Sequence, residues 1–114
     1  MSLRDKILSA QDAEMKKVHV PEWGCDVWIR AMSGADRDKW EQSLTNNKGE
    51  TDITNARAKL VVFTVVDEKG DRIFSDEDIL LVGQKSAKVL TRLSNVATKL
   101  NGLTSDDVEE ARKN

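Results

Sequence analysis

The sequence predicts a helix-dominant α+β domain carrying one N-terminal β-hairpin. Three observations predict it. Apolar and polar residues alternate on both sides of Pro21-Glu22-Trp23-Gly24, the period of half-buried strands. From Ser33 onward, apolar residues recur at helical spacing. Most of these later segments open on a capping residue or close on a stop signal. The hairpin covers about 16–30, and about five helices follow or precede it: 2–10, 34–45, 53–66, 76–83 and 86–101, plus a fraying segment over 105–112.

The first helix sets Leu3, Ile7 and Leu8 on one face, among Arg4, Asp5 and Lys6. It lasts barely two turns, so it must dock to be stable. Residues 11–14 read as a linker. In the hairpin, Val18 and Val20 share the buried face with Val27 and Ile29, and His19, Trp28 and Arg30 take the other. Proline fixes φ in the turn and Gly24 permits a positive one.

Ser33 caps the second helix, with Asp36 at its third position. Ala35, Trp40 and Leu44 form its sparse apolar stripe, and Asn46 to Glu50 is a loop. Thr51 or Asp52 starts the third helix, in which Ile53, Ala56, Leu60 and Phe63 share a face. Its second half is apolar on nearly all sides, which requires burial between neighbours or a change to extended structure near Phe63. After a turn at Asp67 to Gly70, Ile73 and Phe74 return to the core. Ser75, Asp78, Phe74 and Ile79 together make a capped and stapled helix start. The longest regular helix carries the row Val89, Leu93, Val96 and Leu100, with Leu90 and Ala97 beside it, and Asn101-Gly102 stops it. Leu103 to Val108 repeats the staple-and-cap pattern before the last, mostly polar segment.

At 114 residues the chain is one domain over 1–114, with a helix and linker at 1–14 and a weakly packed C-terminal helix at 103–114. Twenty acidic side chains stand against 18 basic ones, so the broad basic field of a nucleic-acid binder is missing. No apolar run approaches the about 20 residues that span a bilayer. The N-terminus lacks the apolar core of a secretory signal. A single cysteine excludes an internal disulfide and suits a reducing compartment. Cytosolic placement without nucleic acid or membrane partners is expected.

No catalytic, cofactor-binding or metal constellation is found. His19 and Cys25 would need carboxylates at no recognisable spacing to hold zinc, so His19 reads as a strand histidine beside Trp28. Alternation puts His19 and Cys25 on opposite faces, so the thiol has no base. Residues 67–78 have the length of a calcium loop, but Lys69 and Arg72 sit where an oxygen ligand and a glycine belong. Glu109 and Glu110 read as a solvated face. Turn-tip and outer-face tryptophans are typical of binding hot spots. Trp23, Trp28, His19 and Arg30 are therefore the candidate partner contacts, and Trp40 belongs to the core.

The order of several short motifs resembles a known family. Leu3-Arg-Asp-Lys-Ile-Leu8 opens it, followed by Val18-x-Val-Pro-Glu-Trp-Gly24, Val27-x-Ile-Arg30 and Ser33-Gly-Ala-Asp-Arg37. Then come Asn55-Ala-Arg-Ala-Lys-Leu60, Val66-Asp-Glu-x-Gly70, Ile73-Phe-Ser-Asp-Glu-Asp-Ile79 and Leu100-Asn-Gly-Leu-Thr104. This set resembles the tail assembly chaperones of long-tailed bacteriophages and their prophage relatives. The resemblance implies a non-enzymatic protein that binds the tape-measure protein and tail-tube subunits during assembly in the host cytoplasm and is absent from the finished virion. It also implies that the chain is the short product of a frame that can be extended by ribosomal frameshifting. Lys113-Asn114 is compatible with an A-rich slippage run. A homo-oligomer is a further possibility. Two other classes compete: a structural tail or head-tail component that stays in the particle, and a small DNA-binding regulator using Lys88, Arg92 and Lys99.

Overall fold

A computed structural model describes residues 2–103. The chain begins with helix α1 (Leu3–Ser9), then strands β1 (Met15–Val20) and β2 (Cys25–Arg30) joined through a 3-10 turn at Pro21–Trp23. Helices α2 (Gly34–Ser43) and α3 (Ala56–Thr64) follow, and α3 runs directly into strand β3 (Val65–Val66). A 3-10 turn at Asp76–Asp78 leads into α4 (Ile79–Val82), and α5 (Ala87–Leu100) completes the described part. The helix-dominant α+β architecture is the expected one. The expected final segment over 105–112 lies outside the described residues.

The hairpin has the expected alternation of buried and outer faces. Val18 faces Val27 and Val20 faces Cys25 in the antiparallel ladder. Val20, Val27 and Ile29 are buried and Val18 is half-buried. Gly24 takes the left-handed conformation at φ 66°, which closes the turn. The sheet gains a third strand: β3 pairs antiparallel with β2, setting Val65 beside Ile29 and Val66 beside Trp28.

That third strand corrects the expected helix over 53–66. The helix starts only at Ala56, because Asp52 accepts the Thr54 N–H at 2.9 Å in a local turn and Asn55 adopts a left-handed φ of 58°. Ile53 is consequently exposed rather than on the helix's inner face. At the other end, Thr64 turns its hydroxyl back to the Leu60 carbonyl at 2.6 Å, and Val65 turns extended. Both consequences of the valine run are realised: α3 packs against α2, α4 and α5, and its end becomes a strand. Arg72 secures this junction. Its Nε donates to the Val62 carbonyl at 3.2 Å, its guanidinium lies 4.6 Å from the Phe63 ring centre, and it pairs with Asp76 at 3.2 Å.

The caps behave as read. Ser33 accepts the Asp36 N–H at 3.1 Å, and Asp78 accepts the Ser75 N–H at 2.9 Å. At the end of α5, Gly102 has φ 64°, its N–H donates to Lys99, and the Leu103 N–H reaches the Thr98 carbonyl at 2.9 Å. That pair of bonds is a Schellman motif, and it delivers Leu103 into the core. Two apolar expectations fail. Ala35 is exposed, because α2 meets the core only through its last turns, at Trp40 and Leu44. Ile73 is exposed, because Phe74 alone fills the inward position between the turn and the cap.

Candidate interaction surfaces

The outer face of the sheet holds three of the four candidate contacts. His19 lies opposite Asp26, Lys17 opposite Trp28, and Met15 opposite Arg30. The expected His19–Trp28 pairing is therefore replaced. His19 Nδ1 sits 2.6 Å from Asp26 Oδ1, and Lys17 approaches the other Asp26 oxygen at 3.5 Å. This pairing, chiefly the His19 hydrogen bond, holds the Asp26 carboxyl below its ordinary value. Trp28 is half-buried, with the Lys17 ammonium 5.5 Å from its ring centre and Val66 on its other side. Arg30 donates to the Gly70 carbonyl at 2.8 Å, which ties the 67–71 turn to this face. Gly70 is buried at φ 90°, where a Cβ would meet Met15 Sδ at 3.3 Å.

Trp23 is separate from these three. It ends the 3-10 turn and packs, half-buried, against the core. Beside it Glu22 makes a two-pronged ion pair with Arg92 of α5, at 3.0 and 2.6 Å. The Arg92 guanidinium holds the Glu22 carboxyl at about 2, far below its ordinary 4.5. The pair fastens the hairpin tip to α5. It also takes one of the three charges on which a DNA-reading row would depend.

The chemistry-bearing residues stay apart. Cys25 is exposed and faces Val20, one register step away from the His19–Asp26 pair and on the other face. Among the described residues no three His, Cys, Asp or Glu side chains gather where they could hold a metal ion. The acids of 67–78 serve the backbone: Asp67 accepts the N–H groups of Lys69 and Asp71, and Asp78 caps. Trp40 is buried, and its indole N–H has no hydrogen-bond partner among the described residues.

Two uncovered apolar faces were not singled out by sequence reasoning as contact sites. On α1, Leu3, Ile7 and Leu8 are exposed and no side chain is buried, so the expected docking of this helix is not made within the described chain. On α4, Leu80 and Leu81 are 69% and 65% exposed, while Val82 is buried and Ile79 packs against the core. The signal for α4 was present. Ile79-Leu-Leu-Val82 places four apolar residues on about one helical turn, and a single turn cannot turn all of them inward. Among the described residues no helix is long and apolar enough to cross a membrane.

Residues 2–114 match the family model described as phage tail assembly chaperone. The chain belongs to the phage tail assembly chaperone family. Its fold is similar to the structure of the bacteriophage HK97 tail assembly chaperone, with a TM-score of 0.62 at 23% identity, over 85% of this chain and 95% of that one. A search of curated proteins gives no match. As a member of that family the protein is non-enzymatic.

Proposed function

We propose that this tail assembly chaperone binds the tape-measure protein and the tail-tube subunits in the host cytoplasm while the tail is built, and is left out of the finished virion. The observation that carries the reading is uncovered apolar surface on a folded, charged body: the α1 and α4 faces and the half-covered Trp28. A tape-measure protein presents long apolar helices before the tube encloses them. A protein that covers such helices reversibly needs modest apolar contacts, repeated along the client, so that many weak sites act together. On the hairpin the proposed contacts are Trp28, His19 and Arg30, with Trp23 at the tip. A second copy of the chain is a further partner, favoured by α1, whose apolar row Leu3, Ile7 and Leu8 finds no burial among the described residues.

Co-expression with the tape-measure protein of the same gene cluster tests the reading. The expected result is a soluble complex of the two. Trp28→Ala should reduce its yield about tenfold, the cost of one hot-spot tryptophan, while lowering the melting temperature by only a few degrees. A tape-measure protein that remains insoluble and unbound overturns the proposal. So does finding this chain at stoichiometric amounts in purified virions, which would make it a structural component.

A further inference from the structure

We infer that the free edge of β1 is a docking site for an extended segment of a partner protein, added antiparallel to the sheet, with acidic side chains opposite Lys16 and Lys17 and an apolar one opposite Val18. The inference goes beyond the chaperone reading, in which side-chain surfaces cover helices, and takes from it only that the partner is a client. β1 is an outer strand of the sheet. The Ala31 N–H donates to the Glu14 carbonyl at 2.9 Å, so residues 14 and 31 form a hydrogen-bonded pair. Bonded and non-bonded pairs alternate along an antiparallel ladder. Lys16, Val18 and Val20 therefore turn their backbone groups to β2, and Met15, Lys17 and His19 turn theirs away. None of the N–H and C=O groups of those last three has a backbone partner among the described residues. The opposite edge is different, because Val66 of β3 bridges Arg72. The open edge is regular: every residue of β1 pairs with β2 in one register, and Pro21 comes only after it. It is also held in place, since Val20 is buried and the Glu22–Arg92 pair fastens the hairpin tip to α5. A fixed strand with unpaired polar groups at every second residue is a template that an added strand completes.

Side chains say which strand fits. Lys16 and Lys17 are both exposed. Lys17 approaches Asp26 only at 3.5 Å, while His19 holds that carboxylate at 2.6 Å. Val18, next along the strand, is half-buried on the inner face, where an apolar neighbour completes its cover. The acidic positions end there, because exposed Glu14 lies just before the strand and Asp26 lies across from His19. Lysines on a sheet edge keep copies of a protein from pairing with one another. Antiparallel pairing of two β1 edges about a two-fold axis, with Met15, Lys17 and His19 bonded among themselves, overlaps residues 15–19 or residues 16–20. The first register sets Lys17 against Lys17 and Lys16 against Val18. The second sets Lys17 against His19 and Lys16 against Val20. Neither gives a lysine an acid, and the first opposes like charges. An acidic strand gives both lysines a counter-charge. The same two residues thus disfavour a second copy and favour the proposed segment.

The test titrates short labelled threonine-rich peptides, with Val-Glu-Glu or Val-Lys-Lys at the centre, into the full chain. The Val-Glu-Glu peptide should bind more tightly, by a margin that shrinks as salt rises. Residue-resolved hydrogen exchange reads the mode of binding. The Lys16 and Val18 amides should be slow already in the free chain, and the Met15, Lys17 and His19 amides should become slow only with peptide. N-methylation of alternate peptide residues should abolish binding when the methyls meet β1 and spare it when they lie on the other edge. Lys17→Pro removes an outward N–H without taking a bond from β2, and should cost at least about tenfold in affinity. Lys17→Gln, which removes the charge alone, should cost less. A thermal melt checks that both variants are folded, and the methylated peptides decide the matter on the wild type if they are not. No binding, equal binding of the two peptides, equal binding of the two methylated forms, or binding that leaves the three amides unprotected would overturn the inference. Protection of those amides in the free chain would also overturn it: protection that fades on dilution gives the edge to a second copy, and protection that persists gives it to the chain itself. A chain that captures the tape-measure protein but no peptide sinks the edge alone. A chain that binds the Val-Glu-Glu peptide but not the tape-measure protein sinks the chaperone reading alone.

Discussion

Val27 and Ile29 enter the core while Trp28 between them stays on the outer face, half-covered by Lys17 and Val66. Strict alternation made this much legible in the residues alone. It follows that Val27→Asp, which places a charge among Val20, Ile29 and their neighbours, costs about 3 kcal/mol or more and abolishes the cooperative melt. An unchanged melting temperature would refute the register. Alternation could not supply cross-strand partners, because those depend on where the turn closes. A two-residue shift of register separates His19 opposite Trp28 from His19 opposite Asp26, and the 3-10 turn at Pro21–Trp23 selects Asp26. Gly70 offers a second prediction at this scale. It is buried at φ 90° against Met15 and Arg30, so Gly70→Ala should cost about 1–3 kcal/mol in a denaturant titration. A neutral substitution would show that the 67–71 turn is not held against the sheet.

Among elements, the caps were readable and the switch from α3 to β3 was not. Ser33, Ser75 and Asn101-Gly102 act through bonds within a few residues, so their chemistry is contained in the local sequence. Leu60 to Val66 suits either helix or strand. The choice falls to distant groups: the free edge of β2, which takes Val65 and Val66, and the Arg72 side chain, which satisfies the Val62 carbonyl. The join between hairpin tip and α5 was likewise invisible, since Glu22 and Arg92 lie 70 positions apart. That join has a pH signature. Glu22 is held at about 2, below its ordinary 4.5, chiefly by its hydrogen bond with Arg92. The unfolded chain binds this proton more readily, so the pair's contribution is fully present above pH 4.5 and fades as pH falls towards 2. The stability deficit of Glu22→Gln relative to wild type should therefore shrink over that range. A deficit that stays constant through it would mean that the ion pair is absent in solution.

For the whole molecule, the organising feature is that the folded core does not use all its apolar residues. The core joins the inner face of the sheet to α3 and α5, and leaves the α1 row and the α4 ridge outside. The outer face of the hairpin was readable from alternation, whereas the exposed leucines were not, because periodicity counts them as core by default. Deleting residues 2–10 should leave the melting temperature of the remainder within a few degrees of wild type, because α1 buries no side chain among the described residues. A large fall would mean that α1 is part of the fold. In the proposed function, these surfaces keep an apolar client from associating with itself, with no covalent step. Light scattering from a tape-measure fragment diluted out of denaturant, with increasing amounts of this chain present, measures that directly. Scattering should fall in proportion to added chain and level off at a fixed ratio of chain to client. Scattering that is the same with and without the chain would contradict it.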